Sequence, residues 1–162
     1  MDRCGACRDA VDVRIEWPAW RKAWPKARQE ICDLLKAAAK HPEIAGAAGE
    51  VAVVLADDLR LRELNARFRG KDRATNVLSF PDTQLPPGGM ALALETVVRE
   101  ASAQKKPVIR HSKHLILHGF LHLLGYDHDS ARAARLMEGL EVAILSEMGI
   151  PNPYLPRARS RA

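Results

Sequence analysis

A short stretch in the second half of the chain constrains the backbone strongly, because it carries three closely spaced histidines. It reads His-Gly-Phe-Leu-His-Leu-Leu-Gly-Tyr-Asp-His from position 118 to position 128. On a helix, His118 and His122 lie one turn apart on the same face, so both imidazoles can reach one cation. Gly125 can adopt the left-handed conformation that ends a helix, and the chain can then return His128 to the same ion. The stretch therefore predicts a helix and a sharp turn around a metal site.

Three neutral imidazoles leave the fourth position of a tetrahedral zinc ion open, as in catalytic zinc sites. The spacing thus predicts a single Zn²⁺ ion bound by His118, His122 and His128. His114 lies one turn before His118, but 114, 118 and 122 span about 12 Å along the helix axis and cannot all bind one ion. We expect His114 to lie behind the ligands and support them, and His111 to be a solvated helix residue.

Carboxylates near these histidines decide which reaction the site can perform. The same histidine spacing occurs in the metzincin peptidases, whose mechanism needs a glutamate directly after the first histidine as general base. That position is Gly119 here, which cannot transfer a proton, so peptide hydrolysis is disfavoured unless another carboxylate enters the site. Asp127 can orient a ligand imidazole from behind or accept a proton, and it can equally stabilise the turn after Gly125.

The rest of the chain alternates strand and helix signals without internal repeats. Strands are expected at 11–15, 51–55, 76–80 and 90–94, the second of them buried on both faces, with a loop from 81 to 89. Helices are expected at about 25–40, 57–68, 95–104, 107–125 and 130–148. This order predicts an α+β fold, a single domain in which a small mixed four-stranded sheet is covered by about five helices.

Composition places the chain among ordinary globular proteins. Of its 162 residues, 47% are hydrophobic and 28% are charged, a balance typical of one folded domain. No apolar run approaches the ~18 residues that would span a bilayer, and the N-terminus has no signal-peptide pattern. We therefore expect a cytoplasmic protein with no membrane partner. We interpret residues 1–10 as a flexible segment, 11–154 as the functional domain and 155–162 as a basic tail.

The net charge of +5 is concentrated in two places. Between Arg60 and Arg73, six basic residues face only two acidic ones, and three more arginines follow Tyr154. Local basic patches favour an anionic partner, although a charge run taken alone is most often a solvated surface. Aromatic residues make up only 5% of the chain, little material for stacking nucleic acid bases. Contact with a phosphate backbone is the better prediction.

A second block supports this interpretation. It reads Leu-Asn-Ala-Arg-Phe-Arg-Gly-Lys-Asp from 64 to 72 and continues as Thr-Asn-Val-Leu-Ser-Phe-Pro from 75 to 81, and the end of the chain contains Gly-Ile-Pro-Asn-Pro-Tyr from 149 to 154. Together with the histidine stretch, these segments resemble the bacterial endoribonuclease YbeY family, also called the rRNA maturation factor family. The resemblance covers about residues 50–154.

The resemblance implies a metal-dependent endoribonuclease that acts on single-stranded RNA in rRNA maturation and ribosome quality control, with ribosomes or ribosomal proteins as partners and no DNA substrate. It implies zinc at His118, His122 and His128, and a functional arginine at Arg69. Arg69 presents a planar fork of donors to a phosphate, and Lys71 adds a point charge. We hypothesise that a zinc-bound water attacks the phosphodiester while Arg69 stabilises the developing charge, so Arg69 and His118 are the catalytic residues. The alternative is a non-enzymatic rRNA-binding assembly factor whose zinc is structural, which a fourth protein ligand would favour.

Overall fold

The computed structural model describes residues 11–44, 50–81 and 88–155 of the chain. The strands are β1 Val11–Ile15, β2 Val51–Ala56, β3 Val77–Pro81 and β4 Gly88–Ala93. The helices are α1 Ala19–Ala23, α2 Ala27–Lys40, α3 Asp58–Arg69, α4 Leu94–Ala103, α5 Val108–Leu123 and α6 Ala131–Glu147. The predicted alternation of strands and helices is confirmed, and the short α1 is an addition that the sequence pattern does not predict. The expectations for residues 1–10 and 156–162 lie outside the described residues.

The four strands form one mixed sheet in the order β1-β2-β4-β3. β1, β2 and β4 are parallel, and β3 runs antiparallel to β4. α2 and α5 pack on one face of the sheet, and α6 packs against both of these helices. α3 lies on the other face over a smaller cluster that includes Leu61, Leu78 and Ala93. The predicted α+β fold with a small four-stranded sheet is therefore confirmed.

The burial of β2 differs from the expectation. Val51, Val53 and Leu55 are buried against the large core, whereas Ala52 and Val54, which point to the other face, are only half-buried. The prediction of a strand buried on both faces is wrong because α3 leaves part of its face of the sheet uncovered. A groove of about 510 Å³ remains there between α3 and the strands.

The loop before β4 is shorter than predicted, because Gly88 and Gly89 belong to the strand. Gly89 pairs with Ala52 of β2. A Cβ atom at Gly89 would lie 3.3 Å from the carbonyl oxygen of Ala52, so the close approach of the two strands favours glycine. Residues 82–87 of the predicted loop are not among the described residues.

α5 is the helix that carries most of the histidines. It follows Pro107 and ends before Gly125, whose φ of 96° reverses the chain as the sequence predicts. A Cβ atom at Gly119 would lie 3.1 Å from Ser79 Oγ and from Met90 Sδ, so glycine at this position lets α5 lie close against β3 and β4. Among the described helices, α5 included, none is long and apolar enough to cross a membrane.

α3 places the second predicted motif beside the sheet. Asp57 caps the helix, since its Oδ1 accepts the backbone N–H of Arg60 at 2.9 Å. Gly70 ends the helix in the left-handed conformation with a φ of 66°, as its position predicts. Arg69 is therefore the last residue of α3, next to a turn.

His111 is buried, so the expectation of a solvated residue is wrong. Its side chain is 4% exposed, and its Nε2 lies 3.0 Å from Oε1 of Glu100. Glu100 belongs to α4, which packs along this side of α5. The sequence pattern of α5 alone does not reveal that a neighbouring helix covers this side.

Candidate metal centre

The end of α5 and the turn after it bring the three predicted ligands together. His118 and His122 lie on successive turns of the helix, and His128 approaches them from the turn. The ring centroids are 4.5 Å apart for His118 and His122, 5.1 Å for His122 and His128, and 5.7 Å for His118 and His128. One nitrogen from each ring lies within 4.8 Å of the nitrogens of the other two. A single cation could contact all three.

The donor set fits a zinc ion. The Nε2 atoms of His118 and His122 lie 3.0 Å apart, and two nitrogens bound to one tetrahedral zinc ion lie about 3.3 Å apart. The group formed by these histidines contains no fourth donor from the described residues. His128 is exposed and the other two are half-buried, so solvent reaches the centre. This arrangement resembles catalytic zinc sites, which keep one position open.

A buried carboxylate lies directly behind His118. Glu141 of α6 has 0% exposure, and its Oε1 accepts the Nδ1–H of His118 at 2.7 Å. Burial by itself raises the pKa of Glu141, but hydrogen bonds from His114, His118 and Tyr154 outweigh this effect and lower the pKa to about 2. The carboxylate is therefore ionised and holds the proton of His118 on Nδ1, which leaves Nε2 available for a metal ion.

His114 supports His118 through the same carboxylate, as its predicted place behind the ligands suggests. The Nε2–H of His114 donates to Oε2 of Glu141 at 2.7 Å, and the hydroxyl of Tyr154 donates to the same oxygen. Burial and then the charge of Glu141 raise the pKa of Tyr154, so its hydroxyl stays protonated. His114, His118 and Glu141 also form a group of possible metal ligands, but their atoms are hydrogen-bonded to one another here.

Sequence reasoning missed Glu141 and Tyr154. α6 buries Met137, Leu140, Ile144 and Leu145 at helical spacing, and Glu141 lies among them on the same face. A charged residue on the buried face of an amphipathic helix needs a polar partner. The interruption of the apolar pattern at Glu141 was the signal from which this residue could have been found. The contact of Tyr154 with Glu141 could not be found in this way, because it depends on the path of the chain after α6.

The surroundings of His122 keep its imidazole neutral. Burial lowers the pKa of His122, and the nearby His118 and His128 lower it further. The neutral imidazole is the form that binds a metal ion. His122 is therefore prepared to act as a ligand near neutral pH.

Asp127 lies in the exposed turn between Gly125 and His128. Its Oδ1 accepts the backbone N–H of Asp129 at 3.2 Å, which stabilises the turn. Among the described residues, no hydrogen bond joins Asp127 to a ligand imidazole, so the orienting role considered for Asp127 stays a prediction.

Gly119 faces the sheet and not the metal centre. A side chain at this position would meet Ser79 and Met90 before it could turn elsewhere. The position that carries the general base in metzincin peptidases is therefore used here for packing α5 against β3 and β4. This packing is a physical reason for the glycine that distinguishes the two histidine motifs.

Arg69 and Lys71 lie around a small cavity at the end of α3, which we call the basic pocket. It has a volume of about 260 Å³. Its walls consist of Asn65, Arg69, Lys71, Arg73, Ala74, Thr75 and Leu78. Asn65 is buried, and its Nδ2 donates to the carbonyl oxygen of Arg73 at 2.9 Å, which holds the loop after α3 in place.

A chain of contacts connects the basic pocket to α5. The Nη2 of Arg69 donates to the carbonyl oxygen of Ser79 at 3.0 Å. The hydroxyl of Ser79 donates to the carbonyl oxygen of Gly119 at 3.1 Å, and Gly119 directly follows His118. The structure therefore places Arg69 across the edge strand β3 from the metal centre.

Not every basic residue of this region contributes to the pocket. Arg62 forms two hydrogen bonds with Asp72, of 2.7 and 3.1 Å, and Arg60 pairs with Glu16 and Glu63. These pairs neutralise part of the local charge. The basic residues that line the pocket are Arg69, Lys71 and Arg73.

Comparisons with known proteins agree with both motifs. A family profile described as "Endoribonuclease YbeY" matches residues 16–149. The endoribonuclease YbeY of Rhodopseudomonas palustris strain CGA009 is 42% identical over 163 residues, which cover 95% of this chain and 85% of that protein. The endoribonuclease YbeY of Bradyrhizobium sp. strain BTAi1 is 44% identical over 160 residues, which cover 92% of this chain and 94% of that protein.

A solved structure shares the fold. The solution structure of TM1509 from Thermotoga maritima superimposes with a TM-score of 0.55 and covers 93% of this chain and 99% of that chain. The two sequences are 21% identical, so this likeness concerns the fold alone.

Proposed function

The chain belongs to the endoribonuclease YbeY family, and from this premise we propose that it is a zinc-dependent endoribonuclease that cleaves single-stranded RNA. Its substrate is rRNA, in maturation and ribosome quality control in the cytoplasm, with ribosomes or ribosomal proteins as partners. The observation that carries the proposal is the meeting of the His118, His122 and His128 nitrogens within 4.8 Å of one another, with Arg69 at the end of α3 hydrogen-bonded to the edge strand β3.

The three histidines would hold one zinc ion, two from α5 and one from the turn that follows it. When bound, the ion supplies a Lewis acid that lowers the pKa of water and offsets negative charge on a phosphate. Glu141 keeps His118 in the tautomer that presents Nε2, since it accepts the proton on Nδ1 at 2.7 Å. The buried hydrogen bond also fixes the orientation of the His118 ring.

Arg69 would bind the phosphodiester that is cleaved. Its guanidinium has five N–H donors, and its hydrogen bond to Ser79 uses only the Nη2 nitrogen. A fixed cation beside a reacting phosphate stabilises the charge that develops in the transition state. Lys71, on the rim of the same basic pocket, adds a second positive charge for the backbone.

The alternative, an RNA-binding assembly factor with a structural zinc ion, requires a closed set of four protein ligands. Among the described residues the histidine group offers three donors, and Glu141 is engaged behind His118. The open, solvent-accessible donor set supports the enzyme over this alternative.

The proposal is tested with purified protein, a single-stranded RNA of defined sequence, and a chelator. The wild type is expected to contain one zinc ion per chain and to cleave the RNA. His118→Ala is expected to lose the ion by elemental analysis and to lower cleavage by at least about a hundredfold, because the ion supplies the largest stabilisation of charge. The chelator should have the same effect on the wild type.

His41→Ala is the matched control, since His41 lies at the end of α2 and its contact is with the backbone N–H of Glu43. This variant should keep both the zinc ion and the activity. Cleavage by His118→Ala at the wild-type rate would indicate a contaminating nuclease and would contradict the proposal. Retention of zinc by His118→Ala would overturn the ligand assignment.

A further inference from the structure

A second cavity lies along the first half of α5, away from the basic pocket. Its volume is about 520 Å³, and we call it the α5 groove. One wall is formed by the residues before and at the start of α5, and the other by the segment that follows α6. Its lining is Lys105, Lys106, Pro107, Arg110, His111, His114, Ile150–Pro153 and Leu155. The lining contains three basic residues and no acidic residue.

Two of the basic residues in the lining, Lys106 and Arg110, form no ion pair with a carboxylate among the described residues. The Nζ of Lys106 donates to the carbonyl oxygen of Pro153 at 2.6 Å, so this residue joins the two walls. Arg110 is exposed, and no hydrogen bond or ion pair is seen for it within the described residues. Glu100 and Glu141, which lie behind the lining, accept hydrogen bonds from its two histidines. The exposed Arg110 therefore presents its positive charge to solvent at the groove.

The α5 groove reaches the residue that lies behind the candidate metal centre. His114 lines the groove, and its ring centroid lies 6.3 Å from that of His118. Arg110 precedes His118 by two helical turns, a distance of about 12 Å along the axis. A stacked RNA strand covers this distance in about four nucleotides, and an extended strand in fewer.

We propose that the α5 groove binds the RNA strand on one side of the cleaved bond, with Arg110 contacting a backbone phosphate. This inference rests on the proposed function and assigns to it a second subsite. The basic pocket contacts the RNA from the end of α3, and the α5 groove contacts it from the start of α5. An acidic peptide would meet the same charges, but the short distance between His114 of the groove and His118 favours RNA.

Binding is measured by fluorescence anisotropy with a fluorescein-labelled oligouridylate in chelator, where cleavage is prevented. The probe is about 12 nucleotides long, so it can extend from the candidate metal centre past Arg110. Arg110→Ala should weaken its binding about three- to tenfold, and the slope of log K against log salt should fall by about 0.7, the value for one lost phosphate contact.

Arg21→Ala is the matched control, because Arg21 is exposed on α1 and does not line the groove. Arg110→Lys, which keeps the charge, should restore most of the affinity, and thermal melting verifies that each variant is folded. If Arg110→Ala cleaves RNA normally and has the RNA affinity and salt slope of the wild type, the groove is not an RNA subsite. The proposed function would stand in that case. The proposal would also be overturned if Arg110→Ala lost binding of an acidic peptide but still bound RNA like the wild type. Failure of the wild type to bind or cleave RNA would instead refute the proposed function.

Discussion

The metal centre and the basic pocket lie on the two sides of β3, but they are built in different ways. At the candidate metal centre, His118 is held by the fully buried carboxylate of Glu141, which also accepts a hydrogen bond from Tyr154. At the basic pocket, Arg69 and Lys71 are long and exposed, and Arg69 is anchored by a hydrogen bond to Ser79. One region is buried at its base, and the other is exposed.

This difference teaches what each region can contribute. Buried supports fix the position of a ligand atom to within a fraction of an ångström, which coordination requires. Exposed cations keep their rotamer freedom and act mainly through charge, which salt screens. We therefore expect changes at the metal centre to alter metal binding, and changes at the basic pocket to alter RNA contacts while the metal remains bound.

The largest effect of this kind is expected for Arg69→Ala. Loss of a cation that stabilises a transition state costs about 10²- to 10³-fold in kcat, so cleavage of single-stranded RNA should fall by that factor while the zinc content stays at the wild-type level. Both quantities are measured on the same preparation. Arg67→Ala is the control, since the Arg67 guanidinium lies 5.3 Å from the Phe68 ring centroid and outside the basic pocket. Equal rates for wild type and Arg69→Ala would remove Arg69 from the mechanism.

A smaller effect, on metal binding, is expected for Glu141→Gln. The amide keeps the volume of the side chain, but its single oxygen can replace only one of the two carboxylate oxygens. Because Oε2 accepts from both His114 and Tyr154, we expect the amide oxygen at that position, so the NH2 group faces His118, which loses its acceptor. Zinc affinity should fall about 10- to 100-fold, as measured by competition with a chromophoric chelator. Glu147→Gln removes the same charge at the exposed end of α6 and should leave the affinity unchanged. If Glu141→Gln binds zinc like the wild type, the buried carboxylate is not a support of the centre.

The smallest effect is expected for Lys71→Ala, because an exposed lysine contributes one flexible charge. RNA affinity should fall only a few-fold at low salt, and the salt slope should decrease by about 0.7. The difference from the wild type should shrink as salt rises. A loss of affinity that does not depend on salt would indicate that Lys71 supports the loop and does not contact phosphate.

The elements that local patterns describe were predictable. The helix α5, its end at Gly125, the cap at Asp57 and the end of α3 at Gly70 follow from residues only a few positions apart. The burial of His111 and the half-exposed face of β2 were not predictable in this way. Both depend on which helix covers which surface, and α4 covers one while α3 leaves the other partly open.

The three candidate ligands could be recognised from the sequence by itself because they lie within eleven consecutive residues, where helix geometry determines which side chains share a face. The tertiary structure alone decided that Glu141 supports His118 across 23 positions, that Ser79 contacts Gly119 across 40, and that the segment after α6 closes a groove on α5. These contacts depend on how helices and strands pack, and the free energy of packing is spread over the whole core and is not contained in any short segment.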